Sequence, residues 1–267
     1  MSEEEKIIAT IDPDFSSFIK FENNVWQVDA KELAYKDLNG VLRTIVRSGA
    51  KKIDVFNVCG QRYIGTDLDS DVQIKIYGTP GNDLGAFMNG PKLIVNGNAQ
   101  DGCGNTMNEG EIMIHGQVGD LLGHSMRGGK ILVRDDVGYR VGIHMKEYHG
   151  KKPNIVIGGT AQDFLGEYMA GGIILVLGLN LHKGDCCKAR FVGTGMHGGV
   201  IYEREKILEV GKGTKLMDIG KRDKCAIETL VQEFCKNFNL DFDNVMNAKF
   251  HKIVPISKRP YGKLYSQ

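Results

Sequence analysis

Gly85-Ala86-Phe87-Met88 is the first full copy of the pattern that decides the fold of this chain. The pattern Gly-x-x-Met recurs five more times: Gly104-Asn105-Thr106-Met107, Gly123-His124-Ser125-Met126, Gly142-Ile143-His144-Met145, Gly166-Glu167-Tyr168-Met169 and Gly193-Thr194-Gly195-Met196. Their glycines lie 19, 19, 19, 24 and 27 residues apart, and a degenerate copy, Gly65-Thr66-Asp67-Leu68, precedes them. A nearly fixed period of this length is typical of an internal structural repeat.

A short aliphatic run follows each full copy, in most cases after a second glycine. These runs are Leu93–Val95, Ile112–Ile114, Ile131–Val133, Ile155–Ile157, Ile173–Val176 and Val200–Ile201. Three or four such residues are too few for a helix, and with glycines on either side they predict strands. The glycines allow backbone conformations that are closed to other residues, so the chain can turn a corner in every repeat.

A unit of one or two strands cannot bury its apolar face alone, but stacked copies bury that face against each other. The predicted fold is therefore mainly β: a single-stranded, right-handed parallel β-helix of about seven turns, with the methionines in one internal column. At about 4.8 Å between neighbouring strands, the rod would be roughly 30 Å long. We expect the extra residues after Gly142 and Gly166 to leave the coil as loops at 149–153 and 181–185.

The sequence before the coil predicts an arm and a cap. Residues 1–27 are expected to form an N-terminal arm whose aromatic side chains pack on this protein or on a neighbouring subunit; they are Phe15, Phe18, Phe21 and Trp26. Residues 28–59 are expected to form an α/β cap. In it, apolar residues from Leu38 to Val46 have helical spacing, Gly49 ends the helix, and a strand follows at 51–58.

The coil is expected to span residues 60–205 and to be followed by a C-terminal region, residues 206–267. That region is predicted to contain a loop at 211–220, a helix with an apolar stripe from Ile227 to Phe238, and a second short helix at 241–246. The tail from Phe250 turns basic at Lys258, Arg259 and Lys263. We expect it to be an extended arm that docks on a partner or on the coil.

Composition excludes several classes of function. The 34 basic and 33 acidic side chains leave a net charge of +1, so no nucleic-acid or membrane footprint is predicted. The acidic start, Ser2 to Lys6, has no apolar core of a signal peptide, and no run approaches the roughly 20 apolar residues of a membrane span. These features predict a cytoplasmic protein.

The six cysteines show no C-x-x-C spacing, so neither a zinc nor an iron–sulfur site made by this chain alone is predicted. A disulfide framework is disfavoured in an intracellular protein. Cys225 and Cys235 are predicted to be packing residues of the C-terminal helix. Cys186 and Cys187 fall in a predicted loop, where a redox or ligand role stays open.

Several segments resemble a known family. Residues 57–66, Asn57-Val58-Cys59-Gly60-Gln61-Arg62-Tyr63-Ile64-Gly65-Thr66, resemble the start of the C-terminal GXGXG domain of the large subunit of glutamate synthase. Motifs at 81–87, 167–172 and 195–202 match that domain, and the segments 228–232 and 250–255 resemble its last helix and strand. The likeness covers Val28 to Pro255. The β-helix subunit of formylmethanofuran dehydrogenase is similar over the coil only.

The chain also departs from the family pattern. The insertion between Lys130 and Asn154 is shorter here, and the first 27 residues match no family segment. Ser2 follows Met1, so the amino-terminal cysteine nucleophile typical of the glutaminase domain is absent.

The resemblance implies a right-handed β-helix with no catalytic, cofactor-binding or metal-binding residue of its own. In that family the domain spaces a glutaminase domain from an FMN-containing synthase domain, which together make glutamate from glutamine and 2-oxoglutarate. FMN and iron–sulfur clusters are therefore expected in partner subunits, with an FMN/synthase subunit and a glutaminase subunit as the partners.

Three groups of residues offer chemistry beside a structural role. His124 and His144 fall on consecutive turns, with His115 and His149 nearby, and four imidazoles could hold a metal ion. Asp83, Asp101, Asp120 and Asp163 precede copies of the repeat and could bind a cation, although each is expected to accept N–H bonds within its own turn. The loop Gly81–Gly85 resembles a phosphate cradle but precedes no helix.

Three functional hypotheses follow. The first is a non-catalytic scaffold subunit of a glutamate synthase-type oxidoreductase. The second is the same role in another redox assembly, either formylmethanofuran dehydrogenase-like or an electron-bifurcating enzyme with a glutamate synthase-like partner. The third is an independent β-helix enzyme or small-ligand binder that uses its Asp and His columns, in which Asp101 or His124 would be essential.

Overall fold

A computed structural model describes residues 13–182, 185–205 and 207–257. In these ranges a twelve-stranded sheet has the order β1 to β10, then β12 and β11. The strands are β1 Ile19–Glu22, β2 Val25–Asp29, β3 Lys52–Cys59, β4 Gln73–Thr79, β5 Asn89–Asn96, β6 Glu109–Ile114, β7 Lys130–Val133, β8 Asn154–Ile157, β9 Ala170–Val176, β10 Gly198–Arg204, β11 Thr214–Met217 and β12 Phe250–Pro255. The α-helices are α1 Tyr35–Arg47, α2 Lys221–Phe238 and α3 Phe242–Met246, and a 3-10 helix covers Pro13–Phe18.

The predicted parallel coil is confirmed. Strands β2 to β10 pair in parallel, each with the next, as successive rungs of a β-solenoid. All six aliphatic runs named above lie in strands β5 to β10. The solenoid has about six turns rather than about seven. The prediction counted copies of the repeat, but seven equivalent glycines mark only six intervals.

The interior of the solenoid is filled with stacked apolar side chains. One column contains Ile53, Ile74, Leu93, Ile112, Ile131, Ile155, Ile174 and Ile201, which are opposite one another in the strand register. The six methionines of the repeat are also buried, with at most 2% of their surface exposed. The predicted methionine column is therefore part of the core, where burial of each such side chain contributes roughly 1.5–3 kcal/mol.

Each Gly-x-x-Met copy forms one corner with an alternating backbone. Positive φ angles occur at the first glycine, two residues before it and two residues after it, as at Gly102, Gly104 and Thr106. Alternating handedness points successive N–H groups in opposite directions. Gly104 donates to Leu84 O on the previous turn (2.8 Å), whereas Thr106 donates to His124 O on the next (2.7 Å). We call these segments the left-handed corners; they pair the backbone between turns without forming a strand.

The N-terminal cap is built as predicted. Helix α1 buries Leu38, Val41, Leu42 and Ile45 in the same core as the coil, and Gly49 follows it with φ +94°. Asn39 Nδ2 donates to Arg62 O (2.8 Å), which ties the helix to the first left-handed corner. The cap therefore covers the open end of the stack, where unpaired edges would otherwise be exposed.

The aromatic arm packs on its own chain. Trp26 is buried, and Phe15, Phe18 and Phe21 pack against the core cluster. Strands β1 and β2 form an antiparallel hairpin, and β2 crosses the boundary expected between residues 27 and 28. Residues 1–12 of the expected arm lie outside the described ranges.

The C-terminal region covers one outer face of the sheet. Helix α2 forms a buried cluster with Leu132, Val156 and Leu175, which point outwards from β7, β8 and β9. Strand β12 pairs antiparallel with β10, so the tail docks on the coil up to Pro255. The basic residues of the expected tail, Lys258, Arg259 and Lys263, lie outside the described ranges.

The expected loop at 211–220 is wrong, because it contains strand β11. Thr214 to Met217 pairs with β12, and Thr214 is buried. Its glycine-flanked, mixed sequence resembles a loop, and only pairing with a strand about 40 residues later makes it extended. The two predicted excursions fall between strands. The first, residues 149–153, turns back at an antiparallel Tyr148–Lys151 bridge. Of the second, residues 181–185, residues 183 and 184 are outside the described ranges.

Candidate partner-binding surface

The structure separates the four histidines considered as metal ligands. His124 and His144 lie on neighbouring turns and meet edge to face, with ring centroids 6.1 Å apart, and His144 stacks on Tyr168. His115 instead packs on Phe238 of α2. His149 contacts Tyr148 in the loop after Met145. Within the described ranges, no cluster of three or more His, Cys, Asp or Glu side chains is placed to hold a metal ion.

The surroundings of His124 disfavour its charged form. Burial lowers the pKa of His124, and the neighbouring His144 lowers it further, whereas Asp83 raises it. Close imidazoles disfavour protonation of each other. The edge-to-face contact of His124 with His144, which in turn stacks on Tyr168, is a packing contact between turns.

The aspartates form hydrogen bonds between turns rather than within one. Asp101 Oδ1 accepts from the N–H of Asp120 (2.8 Å), and Asp120 Oδ1 accepts from the N–H of Tyr139 (2.8 Å). Asp163 Oδ1 accepts from the N–H of Arg190 in the same way (2.9 Å). The expectation of bonds within each turn is wrong, because the corner directs these N–H groups at the neighbouring turn.

Asp83 and Asp136 also accept hydrogen bonds from other turns, in most cases from side-chain donors. Asp83 Oδ1 accepts from Asn105 Nδ2 (3.1 Å). Asp136, which the repeat pattern does not single out, accepts from the N–H and hydroxyl of Thr160 and from Asn180 Nδ2. Burial raises the pKa of Asp136, but these bonds outweigh it and hold the pKa below its ordinary value. These carboxylates stabilise the stack of turns.

The N–H groups of the two glycines that end the loop at 81–85 are not free to bind a phosphate. Gly81 donates to Gln61 O (2.9 Å), and Gly85 donates to Ile64 O (2.8 Å). A Cβ on Gly81 would lie 2.3 Å from Gly60 O, so glycine is required there by the close approach of the previous turn. These glycines therefore pack turns against each other.

The cysteines are scattered. Both Cys225 and Cys235 belong to α2. Cys235 is buried as predicted, but Cys225 is exposed on the solvent side of the helix, so its predicted packing role is wrong. Cys187 is buried, and burial first, then the nearby Glu203, raise the pKa of its thiol to about 11. A thiol with so high a pKa is a poor nucleophile at neutral pH. Cys186 is half-buried beside it.

A groove of about 490 Å³ runs across the start of strands β5 to β8. Four lysines line it, and each has a carboxylate partner: the pairs are Lys92–Glu111, Lys130–Glu233, Lys151–Glu109 and Lys152–Glu147. Because every one of these ammonium groups is already compensated, the groove has little attraction for an anionic ligand.

A polar cluster fixes α2 to the last strands. The Tyr202 hydroxyl donates to Asp223 Oδ1 (2.6 Å), and Lys252 Nζ donates to Asp223 Oδ2 (2.8 Å). Burial raises the pKa of Asp223, but the bonds from Lys252, Tyr202 and Gly220 hold it below its ordinary value. Each group is satisfied by the others, so the cluster holds elements together.

Exposed aromatic rings are concentrated on the left-handed corners. Tyr63, Phe87, Tyr168 and Phe191 expose 39%, 50%, 46% and 39% of their surface, at φ angles between 53° and 63°. We call these four residues the aromatic corner. A bulky residue in this conformation costs roughly 1–3 kcal/mol, and such strain clusters at functional sites. The equivalent positions in other repeats include Gly102 and Gly195, which adopt the conformation without strain.

Comparison with known proteins supports the family resemblance of the motifs. The model of the GXGXG motif family matches residues 36–257. The chain belongs to the GXGXG motif family. This is the glutamate synthase-type domain that the motifs at 57–66 and 195–202 indicated. An uncharacterized protein of Methanocaldococcus jannaschii is 50% identical over 249 residues, which cover 90% of this chain and 95% of that protein.

The helices of this GXGXG domain bear on whether the chain can span a membrane. No helix in the described ranges is both long enough and apolar enough to cross a bilayer.

Glu203, which the motifs did not indicate, is 1% exposed, and neither carboxylate oxygen has a hydrogen-bond partner in the described part of the chain. The strand register reveals it, because Glu203 continues the interior aliphatic column that ends at Val176.

Proposed function

We propose that this chain is a non-catalytic scaffold subunit of a glutamate synthase-type oxidoreductase, where it positions a glutaminase subunit and an FMN- and iron–sulfur-containing synthase subunit. The observation that carries the proposal is the match of residues 36–257 to the GXGXG motif family. The packed interior supports it, because the columns of methionine and isoleucine fill the solenoid from its first turn to its last.

A scaffold must hold its partners at a fixed distance. Inter-turn hydrogen bonds occur at every left-handed corner as well as in every strand, so each turn is fixed on two sides. The α1 cap and the β12 strand close the ends of the stack. Close-packed interiors of this kind have low compressibility, which suits a spacer between two active sites.

In the described part of the chain, no group of three or more His, Cys, Asp or Glu side chains is placed to hold a metal ion. Of the described cysteines, Cys103 and Cys187 are buried at separate turns, and Cys59 is exposed near the first corner. A cluster needs several cysteine thiolates together. The glycine-corner N–H groups that could hold the phosphate of FMN already donate to neighbouring turns. We therefore propose that both cofactors are bound by the partner subunits.

Purification of the tagged chain from its native host tests the proposal. We expect a partner subunit with flavin and iron–sulfur absorbance to co-purify in fixed stoichiometry, together with a glutaminase subunit identified by mass spectrometry. A flavin partner without a glutaminase would place the scaffold in another redox assembly, either formylmethanofuran dehydrogenase-like or electron-bifurcating. Stoichiometric flavin bound to the isolated chain would contradict the scaffold role.

A further inference from the structure

A column of polar residues follows the methionines of the repeat. Each residue directly after one of these methionines donates its backbone N–H to the previous turn, so these residues stack along one edge of the solenoid. Asp69, which follows Leu68 of the degenerate copy, bridges to the next member, Asn89. The first five members of the column are Asp69, Asn89, Asn108, Arg127 and Lys146. The edge therefore changes from acidic, through two neutral turns, to basic.

A short hairpin covers this column. Tyr148 and Lys151 exchange two backbone hydrogen bonds (3.2 and 3.0 Å). His149 and Gly150 between them have positive φ angles of 49° and 75°, as a type I′ turn requires. Lys151 then forms an ion pair with Glu109, which belongs to an earlier turn. The excursion after Met145 is thus folded back over the column in a defined conformation.

A recess of about 420 Å³ lies between the column and the hairpin. Its lining includes Asn89, Asn108 and Arg127 of the column, Tyr148 and His149 of the hairpin, and Phe87 of the aromatic corner. The amide of Asn89 donates to Asp69 Oδ1 (3.1 Å), and that of Asn108 donates to Phe87 O (3.3 Å). The middle of the recess is therefore polar and uncharged, and its volume is within the range of small-molecule sites.

The basic end of the recess carries positive charge that the described residues do not compensate. Arg127 lines the recess, its Nε is buried without a hydrogen-bond partner, and no described carboxylate pairs with its guanidinium. Its Cζ lies 5.6 Å from the centroid of the Tyr148 ring. Lys146 Nζ, also without a described carboxylate partner, lies 5.6 Å from the same centroid. A charged donor left unpaired in a partly buried site is costly, and an anion would remove that cost.

The carboxylates of the recess are remote from this end. Asp67 and Asp69 belong to the first turn and Arg127 to the fourth, so they are roughly 14 Å apart at the spacing of neighbouring strands. Salt screens exposed charges over about 8 Å, so these carboxylates do little to repel an anion at Arg127. By contrast, each lysine of the 490 Å³ groove has a carboxylate of its own.

We propose that the recess binds a small hydroxylated organic anion, a carboxylic acid or a phosphate ester. Its anionic group would be held by Arg127 and Lys146, and its hydroxyl groups by the side chains of Asn89 and Asn108. Guanidinium forms charge-assisted hydrogen bonds with carboxylates and phosphates alike, and amides pair with hydroxyl groups. The site is separate from the aspartate and histidine columns, and it does not depend on the proposed scaffold function.

Calorimetric titration of the isolated chain at low ionic strength tests the site. Glycerol 3-phosphate and glycerate are the two anionic probes, and glycerol is the neutral control. At least one anion should bind, and which one binds more tightly tells a phosphate site from a carboxylate site; glycerol should not bind. Arg127→Gln should lower the affinity by about tenfold or more. Absence of binding by both anions, or equal affinity in Arg127→Gln, would overturn the proposal.

Arg134→Gln is the matched control. It removes the same charge from the other end of β7, where Arg134 pairs with Asp135 (3.0 Å), and the affinity should be unchanged. Lys146→Gln is a second variant should Arg127→Gln fail to fold, and it too should weaken binding. Amide resonances in NMR spectra locate the anion: those of Asn108, Arg127 and Tyr148 should shift on its addition. Shifts confined to Lys92 and Asn154, which line the 490 Å³ groove, would overturn the assignment.

Discussion

Glu203→Gln is expected to stabilise the protein at pH 8 and to leave its stability nearly unchanged at pH 5. Burial raises the pKa of Glu203 from 4.5 to about 8, because the carboxylate faces the apolar interior beside Val176. The folded state therefore keeps a proton that the unfolded chain releases above pH 4.5. The contribution of Glu203 to the stability of the parent protein falls as pH rises from about 4.5 to 8, by roughly 1.4 kcal/mol per pH unit.

The glutamine side chain is neutral at all these pH values, so the variant escapes that loss. The difference in unfolding free energy should grow from near zero at pH 5 to several kcal/mol at pH 8, on the order of 4. Urea unfolding at both pH values measures it. Glu228→Gln, at an exposed position of α2, is the matched control and should show no such growth. Parallel pH slopes for Glu203→Gln and the parent chain would show that Glu203 ionises freely.

Gly123→Ala is expected to destabilise the protein strongly. Gly123 has φ +65°, and a Cβ there would lie 2.5 Å from Ile155 Cδ1 in the filled interior. The left-handed conformation costs roughly 1–2 kcal/mol for a residue with a side chain. Overpacking of the core adds about 1–3 kcal/mol. We therefore expect a loss of roughly 3 kcal/mol in unfolding free energy.

Gly150→Ala separates the two causes. Gly150 also has a positive φ of 75°, but no atom lies within 4 Å of a Cβ at that position, so only the backbone cost applies. The loss in unfolding free energy should be about 1 kcal/mol. Chemical denaturation of both variants gives the difference. Equal losses at the two glycines would show that the corner is not packed against the interior column.

The coil could be predicted because its signals are local. Glycines at a fixed period bound each aliphatic run, and the runs are strands in every turn. The predicted number of turns was too high by about one, because it counted the copies of the repeat and not the intervals between them. The α1 cap was equally clear, since Leu38 to Ile45 have helical spacing and Gly49 follows.

The features that were missed depend on contacts between distant residues. Strand β11 is extended because β12 pairs with it, and nothing between Gly211 and Gly220 indicates that partner. The aspartate bonds reach the next turn because of the alternating corner backbone, which a repeat pattern does not specify. His115 lies apart from the other histidines because it packs on α2. Glu203 could be found only once the register aligned it with Val176.

This chain is expected to position redox partners without contributing chemistry of its own. The most direct measurement compares the purified complex with the same partner subunits assembled without this chain. The flavin-containing subunit should keep its ability to reduce an artificial dye, whereas glutamine-dependent formation of glutamate should be lost until the chain is added back. Full glutamine-dependent turnover by the partners alone, or loss of dye reduction when the chain is removed, would contradict the account.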